Sequence, residues 1–436
     1  MTATVPVSAR QAPPLPGWIR PLTGPDEPSL GRKATWAVET LLLAMSPAIL
    51  LGLSYPLAMS RMAGHVVGGQ PIASLIISVA VGVPWLSQVV CGPVYRLMGP
   101  VVDARPGECA GQFIRLWPAV LAFSVPPALV VTALVALTTH WPAPALAAHF
   151  LLLMENMVFA QSLMVADLLR RRRHWALGWV AYAASVLLLP TAWYLPPLLA
   201  TATQVVPLVP LMPGLLRPQP VPVRDYVADM GRGLVLGGVL WADKLLLFLT
   251  VGTQWHIALA YLCLQPAVLG YTFYFAIATP RVTGALSDFH QGLESVSIDS
   301  LRDRSRYLTR LMDRALVRAV LVEALGVAVV LAAIAVLAPA SLLEAFAVSL
   351  GSALLAALTL LAYEIDHAGD PALALWLSAA HLLAALASFT LVGGLAASFA
   401  ATALVDVALI AVSVIVYRAR WSSPEYSFFW RKALSW

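Results

Sequence analysis

Glu39, His149, Glu155, Asp243, Lys244, Glu323, His381 and Asp406 lie inside apolar stretches of the chain. Each costs roughly 2.5–3.5 kcal/mol at the centre of a membrane helix on insertion scales, so such a side chain faces a wet cavity or a partner. The chemistry open to it is the handling of ions and polar substrates. Asp243 and Lys244 are adjacent. Neighbouring helical positions diverge by about 100°, so each is expected to meet a separate partner or to reach toward a polar lumen, with an interhelical ion pair as the structural alternative. Asp406 and Glu155 lie deep in their stretches, whereas Glu39 and Glu323 lie near ends where headgroups are hydrated. His149 and His381 fit a proton relay, although a hydrogen-bonded packing role is favoured for each. The candidates for a translocation pathway are therefore Asp243, Lys244, Glu155, Asp406, Glu39 and His381.

No enzymatic signature accompanies them. The chain has no Walker A run, so it is not expected to hydrolyse a nucleotide by itself. No Gly-x-Gly-x-x-Gly follows a strand, no His or Cys cluster has zinc spacing, and no Asp-x-Asp pair stands ready for a metal-dependent glycosyl transfer. Catalytic residues, metal and cofactor are all expected to be absent. Cys91, Cys109 and Cys263 are scattered and are not expected to pair.

The elements that must position these residues are membrane helices. Hydrophobic residues make up 60% of the 436 and charged ones 11%, with a mean hydropathy of +0.81; a soluble protein carries about 25% charge. With about 20 apolar residues per crossing, the chain reads as about twelve spans. The first six are expected near Ala34–Ala58, Ile72–Tyr95, Leu116–Thr138, Ala145–Leu168, Trp175–Tyr194 and Leu195–Leu216. The others are expected near Gly231–Val251, Ile257–Thr279, Ala315–Leu337, Ser341–Tyr363, Pro371–Val392 and Gly394–Tyr417. The fold class is an all-α membrane protein.

Arginine and lysine gather in alternate gaps, which sets orientation. Arg10, Arg20, Arg32 and Lys33 precede the first span; Arg96, Arg105 and Arg115 follow the second; Arg170 to Arg173 end the fourth. Arg217, Arg224 and Arg232 lead into the seventh, seven arginines from Arg281 to Arg318 follow the eighth, and Arg418, Arg420, Arg431 and Lys432 end the chain. Both termini are thus expected in the cytoplasm, with Thr139–Pro144 and Thr253–Trp255 outside. One connector dissents, since Glu364-Ile365-Asp366-His367 should be cytoplasmic yet holds no Lys or Arg. The net charge of +5 follows from this bias and implies no nucleic-acid partner.

Residues 1–33 read as a disordered cytoplasmic lead rather than a signal peptide. Residues 34–216 and 231–417 form two halves of six spans each about a connector at 217–230, and residues 418–436 form a cytoplasmic tail. Within the second half, Pro280–Arg314 is longer than a turn requires. Leu301, Leu308, Leu311 and Met312 share one helical face there, which predicts an interfacial amphipathic helix. Arg302, Arg306 and Arg310 are its candidates for contact with a partner or with membrane lipid.

The stretch from Gly231 carries a resemblance. Gly238, Trp241, Asp243, Lys244 and Phe248 stand in one run, followed by Ala260-Tyr261, Gln265-Pro266-Ala267 and the aromatic series Tyr271-Thr-Phe-Tyr-Phe. These residues resemble the PelG-like exopolysaccharide transporters of the multidrug/oligosaccharidyl-lipid/polysaccharide (MOP) flippase superfamily. The chain departs from that family after the eighth span, where Ala278-Thr279-Pro280-Arg281 replaces an acidic, aromatic-rich motif. The resemblance implies two six-helix lobes around a central cavity in the inner membrane. It also implies export of an exopolysaccharide or a lipid-linked saccharide precursor, received from a cytosolic glycosyltransferase within a synthase complex. The alternatives are a small-molecule or drug antiporter of the same superfamily and a non-transporting scaffold.

Overall fold

Inside a bilayer the backbone has no water to bond, so a spanning apolar run must satisfy its own N–H and C=O groups, and a helix does so. The computed structural model describes residues 30–251, 257–292 and 297–426. Arg10, Arg20, the turn at Thr253–Trp255, and Arg431 and Lys432 of the tail lie outside the described residues. The helices of the first half are α1 (Leu30–Ala44), α2 (Ser46–Met62), α3 (Ile72–Ala104), α4 (Cys109–Thr139), α5 (Ala143–Ser162), α6 (Met164–Leu168), α7 (Arg172–Leu188) and α8 (Leu195–Val205). Those of the second are α9 (Val223–Val251), α10 (Ile257–Phe273), α11 (Thr279–Gly292), α12 (Ile298–Leu337), α13 (Leu342–His367), α14 (Pro371–Leu391) and α15 (Leu395–Trp421). Two-residue strands β1 (Val66–Val67) and β2 (Gln70–Pro71) pair antiparallel at the arginine-poor end.

Among the described residues ten helical segments are long and apolar enough to cross a membrane, and α1 with α2 makes an eleventh, bent by 51°. The bend follows from Pro47, which offers no N–H to the carbonyl one turn back and crowds it with its ring. The remaining expected span, Trp175–Tyr194, falls on α7, a shorter helix of 17 residues that ends at Leu188 and packs against α2 and α8. The proline-broken segment at 195–216 is also long and apolar enough to cross: after Val205 the chain tightens into a 3₁₀ helix, Val206–Leu216. Pro207, Pro210 and Pro213 recur every third residue, which is the period of that helix, and its larger rise brings the combined segment to roughly 38 Å.

The largest departure from expectation lies between the eighth and ninth spans. The segment is not an interfacial helix. α10 runs through a π-helical turn, Tyr274–Ala278, into α11, and α12 then returns as one 40-residue helix. At about 1.5 Å per residue α12 is about 60 Å long, twice the hydrocarbon thickness, so half of it stands beyond the membrane. Leu301, Leu308 and Met312 are buried against Val282 and Phe289 of α11 and against Trp421, so the apolar face closes the arm internally instead of meeting lipid or a partner. Three segment boundaries also shift: α1 already begins at Leu30, α9 begins at Val223 inside the expected connector, and α15 reaches Trp421 in the expected tail.

Helices of each half contact mainly their own half, and the principal seam between the lobes is α3 against α9. Along it Trp85 donates its indole N–H to the Leu234 carbonyl at 2.9 Å, Tyr226 donates its hydroxyl to the Val90 carbonyl at 2.7 Å, and Arg96 pairs with Asp229. Gly233 and Gly237 let the two backbones approach, since a Cβ on Gly237 would come within 2.5 Å of Gln88 Oε1.

The dissenting connector is explained by its partners. α13 continues to His367, where Asp366 pairs with Arg232 of α9 and Glu364 accepts the Tyr274 hydroxyl. Just beyond, Asp370 pairs with Arg420 of α15 at 2.6 Å. The positive charge missing from this connector is supplied by its neighbours.

Candidate functional site: a basic cavity and buried charge pairs

At the arginine-rich end, α1, the turn into α7, α7 itself, α8, the π-helical turn and the start of α11 border a cavity of about 1770 Å³. Its wall is mostly apolar, with Leu43, Leu177, Leu188 and Leu199 among the lining residues, and Trp36 stands at its edge. Its charge comes from one place. Arg170 and Arg171 in the turn between α6 and α7 are followed directly by Arg172 and Arg173, the first residues of α7, and all four line the cavity.

That turn is held by backbone bonds. The Arg171 N–H reaches the Ala166 carbonyl at 2.6 Å and the Arg170 N–H reaches the Asp167 carbonyl at 2.8 Å, while Arg170 itself adopts φ +53°. This is a Schellman ending, whose left-handed position glycine normally occupies. A side chain there costs about 1–2 kcal/mol, and strain of this kind collects where function retains it.

Glu39 is the one carboxylate lining the cavity, and it accepts two bonds from Arg173 at 2.6 and 2.9 Å. Arg170, Arg171 and Arg172 have no carboxylate within ion-pair distance among the described residues. Asp167, whose carboxylate accepts the Tyr95 hydroxyl at 2.5 Å, acts on Arg172 only from farther away. His174 sits beside them in the wall of the cavity. Beneath the turn a void of about 10 Å³ is bordered by Arg171 and Gln204. Arg171 Nε and Gln204 Oε1 are buried there with no protein partner among the described residues. The arrangement suits an anionic group presented to three guanidiniums that form no ion pair among the described residues, with apolar surface around it.

Of the residues singled out in the sequence, only Glu39 borders this cavity. Asp243 and Lys244 do not go to separate partners. Lys244 Nζ turns back to Asp243 Oδ1 at 2.8 Å and to the Leu240 carbonyl, and sits 5.4 Å from the Trp241 ring centre. Both are buried, and Asp243 Oδ2 has no hydrogen-bond partner among the described residues. The helical divergence of 100° applies to Cβ directions, and a lysine stem is long enough to reverse it.

His381 Nδ1 lies 2.6 Å from Asp406 Oδ1, joining α14 to α15 with both residues wholly buried. Glu155 is half-buried on α5 close to Tyr182, whose hydroxyl meets Asn156 at 3.1 Å and Tyr55 at 3.2 Å. His149 packs on Trp141 and bonds Thr132 at 3.1 Å. Glu323 is buried where α12 crosses Gly270 of α10.

Arg302, Arg306 and Arg310 are exposed on the arm, with Arg306 3.7 Å from Asp303 and Arg310 bonded to the Arg306 carbonyl. Asp299, Asp303 and Asp313 fall on the same side of α12, so the basic stripe is interleaved with acid. In the sequence Arg170–Arg173 register only as an orientation signal. The clue to more is the run itself: four consecutive arginines exceed what a short loop needs to set orientation.

No protein-family model matches the chain, and no curated protein matches it. Solved structures do. An outward-facing conformation of a multidrug resistance MATE family transporter of the MOP superfamily superposes with a TM-score of 0.52 at 14% identity, covering 89% of this chain and 96% of that one. MATE in complex with MaL6 gives 0.53 at 11% identity, over 89% and 97%. MATE in the straight conformation gives 0.52 at 14% identity, over 91% and 97%. At these identities the likeness is one of fold: the chain is a multi-pass helical membrane protein built on the architecture of those transporters.

Proposed function

We propose that the chain is an inner-membrane exporter of a saccharide that bears negative charge, either an exopolysaccharide or a lipid-linked precursor, moving from the cytoplasm to the outer face. The observation that carries this is the cavity of about 1770 Å³ in which four arginines face the single carboxylate of Glu39. A cationic drug would meet repulsion there, which weighs against the antiporter alternative. A cavity of that volume also weighs against a dry scaffold. With the arginine-rich end in the cytoplasm, the cavity opens toward the compartment where sugars are polymerised. The resemblance around Asp243 and Lys244 to PelG-like transporters supplies the polysaccharide and a cytosolic glycosyltransferase that hands it over. The chain itself makes and breaks no bond.

Replacing Arg170, Arg171 and Arg172 together by glutamine tests the reading. A hydrogen bond to a charged group is worth about 1.5–3 kcal/mol, and about 1.4 kcal/mol is already a factor of ten. Polysaccharide export should therefore fall by about tenfold or more at unchanged abundance in the membrane. Unchanged export, or efflux of cationic dyes that the arginines do not impede, would sink it.

A further inference from the structure

Arg171 borders both the large cavity and the small void beneath the turn. At the void its Nε is buried without a hydrogen-bond partner among the described residues, and so is Gln204 Oε1 of α8. A donor and an acceptor buried in this way have each given up a bond to water, so each needs a partner, and the two need it at the same place.

The orientation of the Gln204 amide follows from its surroundings. Gln204 is 2% exposed, and one end of its amide meets the His174 carbonyl at 2.9 Å. A carbonyl only accepts, so that end is the amino group, and the oxygen is turned to the void. The same amino group lies 3.2 Å from Thr203 Oγ1. Gly178 of α7 leaves the amide its room, since a Cβ there would come within 3.0 Å of Gln204 Nε2 and 3.1 Å of the Phe159 ring. α7 and α8 thus close around a glutamine whose acceptor faces the void that Arg171 borders.

The void of about 10 Å³ matches a single water molecule, which needs about 10–15 Å³ of such space and two to four polar partners. Three partners stand around it. A water there accepts the Arg171 Nε–H and donates to Gln204 Oε1 and to Ser162 Oγ, since Ser162 also borders the void. The Ser162 hydroxyl itself donates to the Phe159 carbonyl at 2.7 Å, which leaves its lone pairs as acceptors. Val165, Ala166, Leu169 and Leu208 close the rest of the wall with apolar surface.

We propose that Gln204 is a positioning residue for Arg171: it holds the Nε–H through one buried water, so that the guanidinium presents its two terminal amino groups to the anion in the cavity. Those groups are parallel donors that match the paired oxygens of a carboxylate or a phosphate. This role rests on the reading of the cavity as a site for an anionic saccharide. It adds that Gln204, which is not among the residues lining the cavity, governs how tightly the cargo is held.

The test uses the full chain in lipid nanodiscs, with isotope in the arginine side-chain nitrogens and the Arg171 signal assigned in NMR spectra by its loss in Arg171→Lys. The Arg171 Nε–H should exchange slowly with solvent. Gln204→Met keeps the length of the side chain and loses its acceptor, and should speed that exchange several-fold. Gln204→Asn keeps an amide but withdraws it by one methylene, and should do the same with the polar character of the site retained. Affinity for a short polygalacturonate, an anionic saccharide, should fall several-fold in both variants. In an Arg171→Gln background the same changes at Gln204 should have no further effect, because residues that act through one another are not additive. Equal losses in both backgrounds would mark a merely structural glutamine and overturn the proposal. An Nε–H that exchanges freely in the unsubstituted chain, or that ignores the changes at Gln204, would overturn it as well. A protected Nε–H in a chain that binds no polygalacturonate would reject the anionic-saccharide reading and leave the hold of Gln204 on Arg171 standing.

Discussion

At the scale of single residues, Arg170 offers the sharpest separation of stability from function. Its backbone occupies a left-handed position that glycine adopts freely. Arg170→Gly should therefore raise stability by about 1 kcal/mol while lowering export, and a melting curve beside an export assay would show the opposed signs. Glutamine at the same position keeps the strain and loses the charge, so it should lower export without the gain. Asp243 and Lys244 make the contrary case. Either Asp243→Asn or Lys244→Met alone leaves a buried charge unpaired and should destabilise the protein by about 3–5 kcal/mol, whereas the double change should recover abundance. Equal abundance for all three variants would show that the pair bears no structural load. The sequence located both residues but not their geometry, because the reach of a side chain is not visible in spacing. It could not single out Arg170, because backbone conformation is set by the bonds to Ala166 and Asp167.

At the scale of elements, what sequence could read depended on whether an element's environment was lipid or protein. Spans are legible because lipid imposes one rule on every helix. Among the described residues ten of the twelve expected spans fall on helical segments long and apolar enough to cross, and the first falls on the bent pair α1 and α2. Only Trp175–Tyr194 falls on a shorter helix. The arm of α11 and α12 is not legible in the same way, because an amphipathic pattern records that a face is covered, not by what. Leu308 is wholly buried against the arm's own partners, so Leu308→Ala should cost about 2–5 kcal/mol, read as a lowered midpoint of thermal unfolding. An interfacial leucine would cost far less. Charge reversal at Arg302, Arg306 and Arg310 should weaken capture of a cytosolic glycosyltransferase in detergent without changing topology. If only membrane abundance changes, the stripe serves lipid. Because Asp299 and Asp303 already offset the stripe, replacing those two aspartates by asparagine should strengthen capture, which a stripe without a partner would not do.

At the scale of the whole molecule, orientation is the property on which the cavity's meaning depends. The proposed orientation, with both termini in the cytoplasm, predicts that a cysteine placed at Arg302 resists membrane-impermeant label in intact cells and that one in Thr139–Pro144 reacts. Label reaching the Arg302 position from outside would turn the cavity toward the exterior and reverse the direction of transport. The lobed architecture, implied by resemblance, is shared with solved transporters at 11–14% identity. Its maintenance at so little identity follows from how membrane helices associate. Small residues and backbone contacts, rather than particular large side chains, set their approach.

Gly233 and Gly237 lie one helical turn apart on α9, both beneath Gln88 of α3. The indole of Trp85 bonds a backbone carbonyl, Leu234, and not a side chain. Backbone carbonyls recur at every turn, so the carbonyls of Met230 and Gly238 present the same acceptor on the same face. α9 is thus a rack with evenly spaced notches, and α3 is a pawl whose bonds can form again after a slip of one turn, about 5.4 Å. Motion between the lobes along this seam would then be stepwise, with its stride fixed by the pitch of the helix. Alanine at Gly237 would fill one notch and hold the pawl at the other.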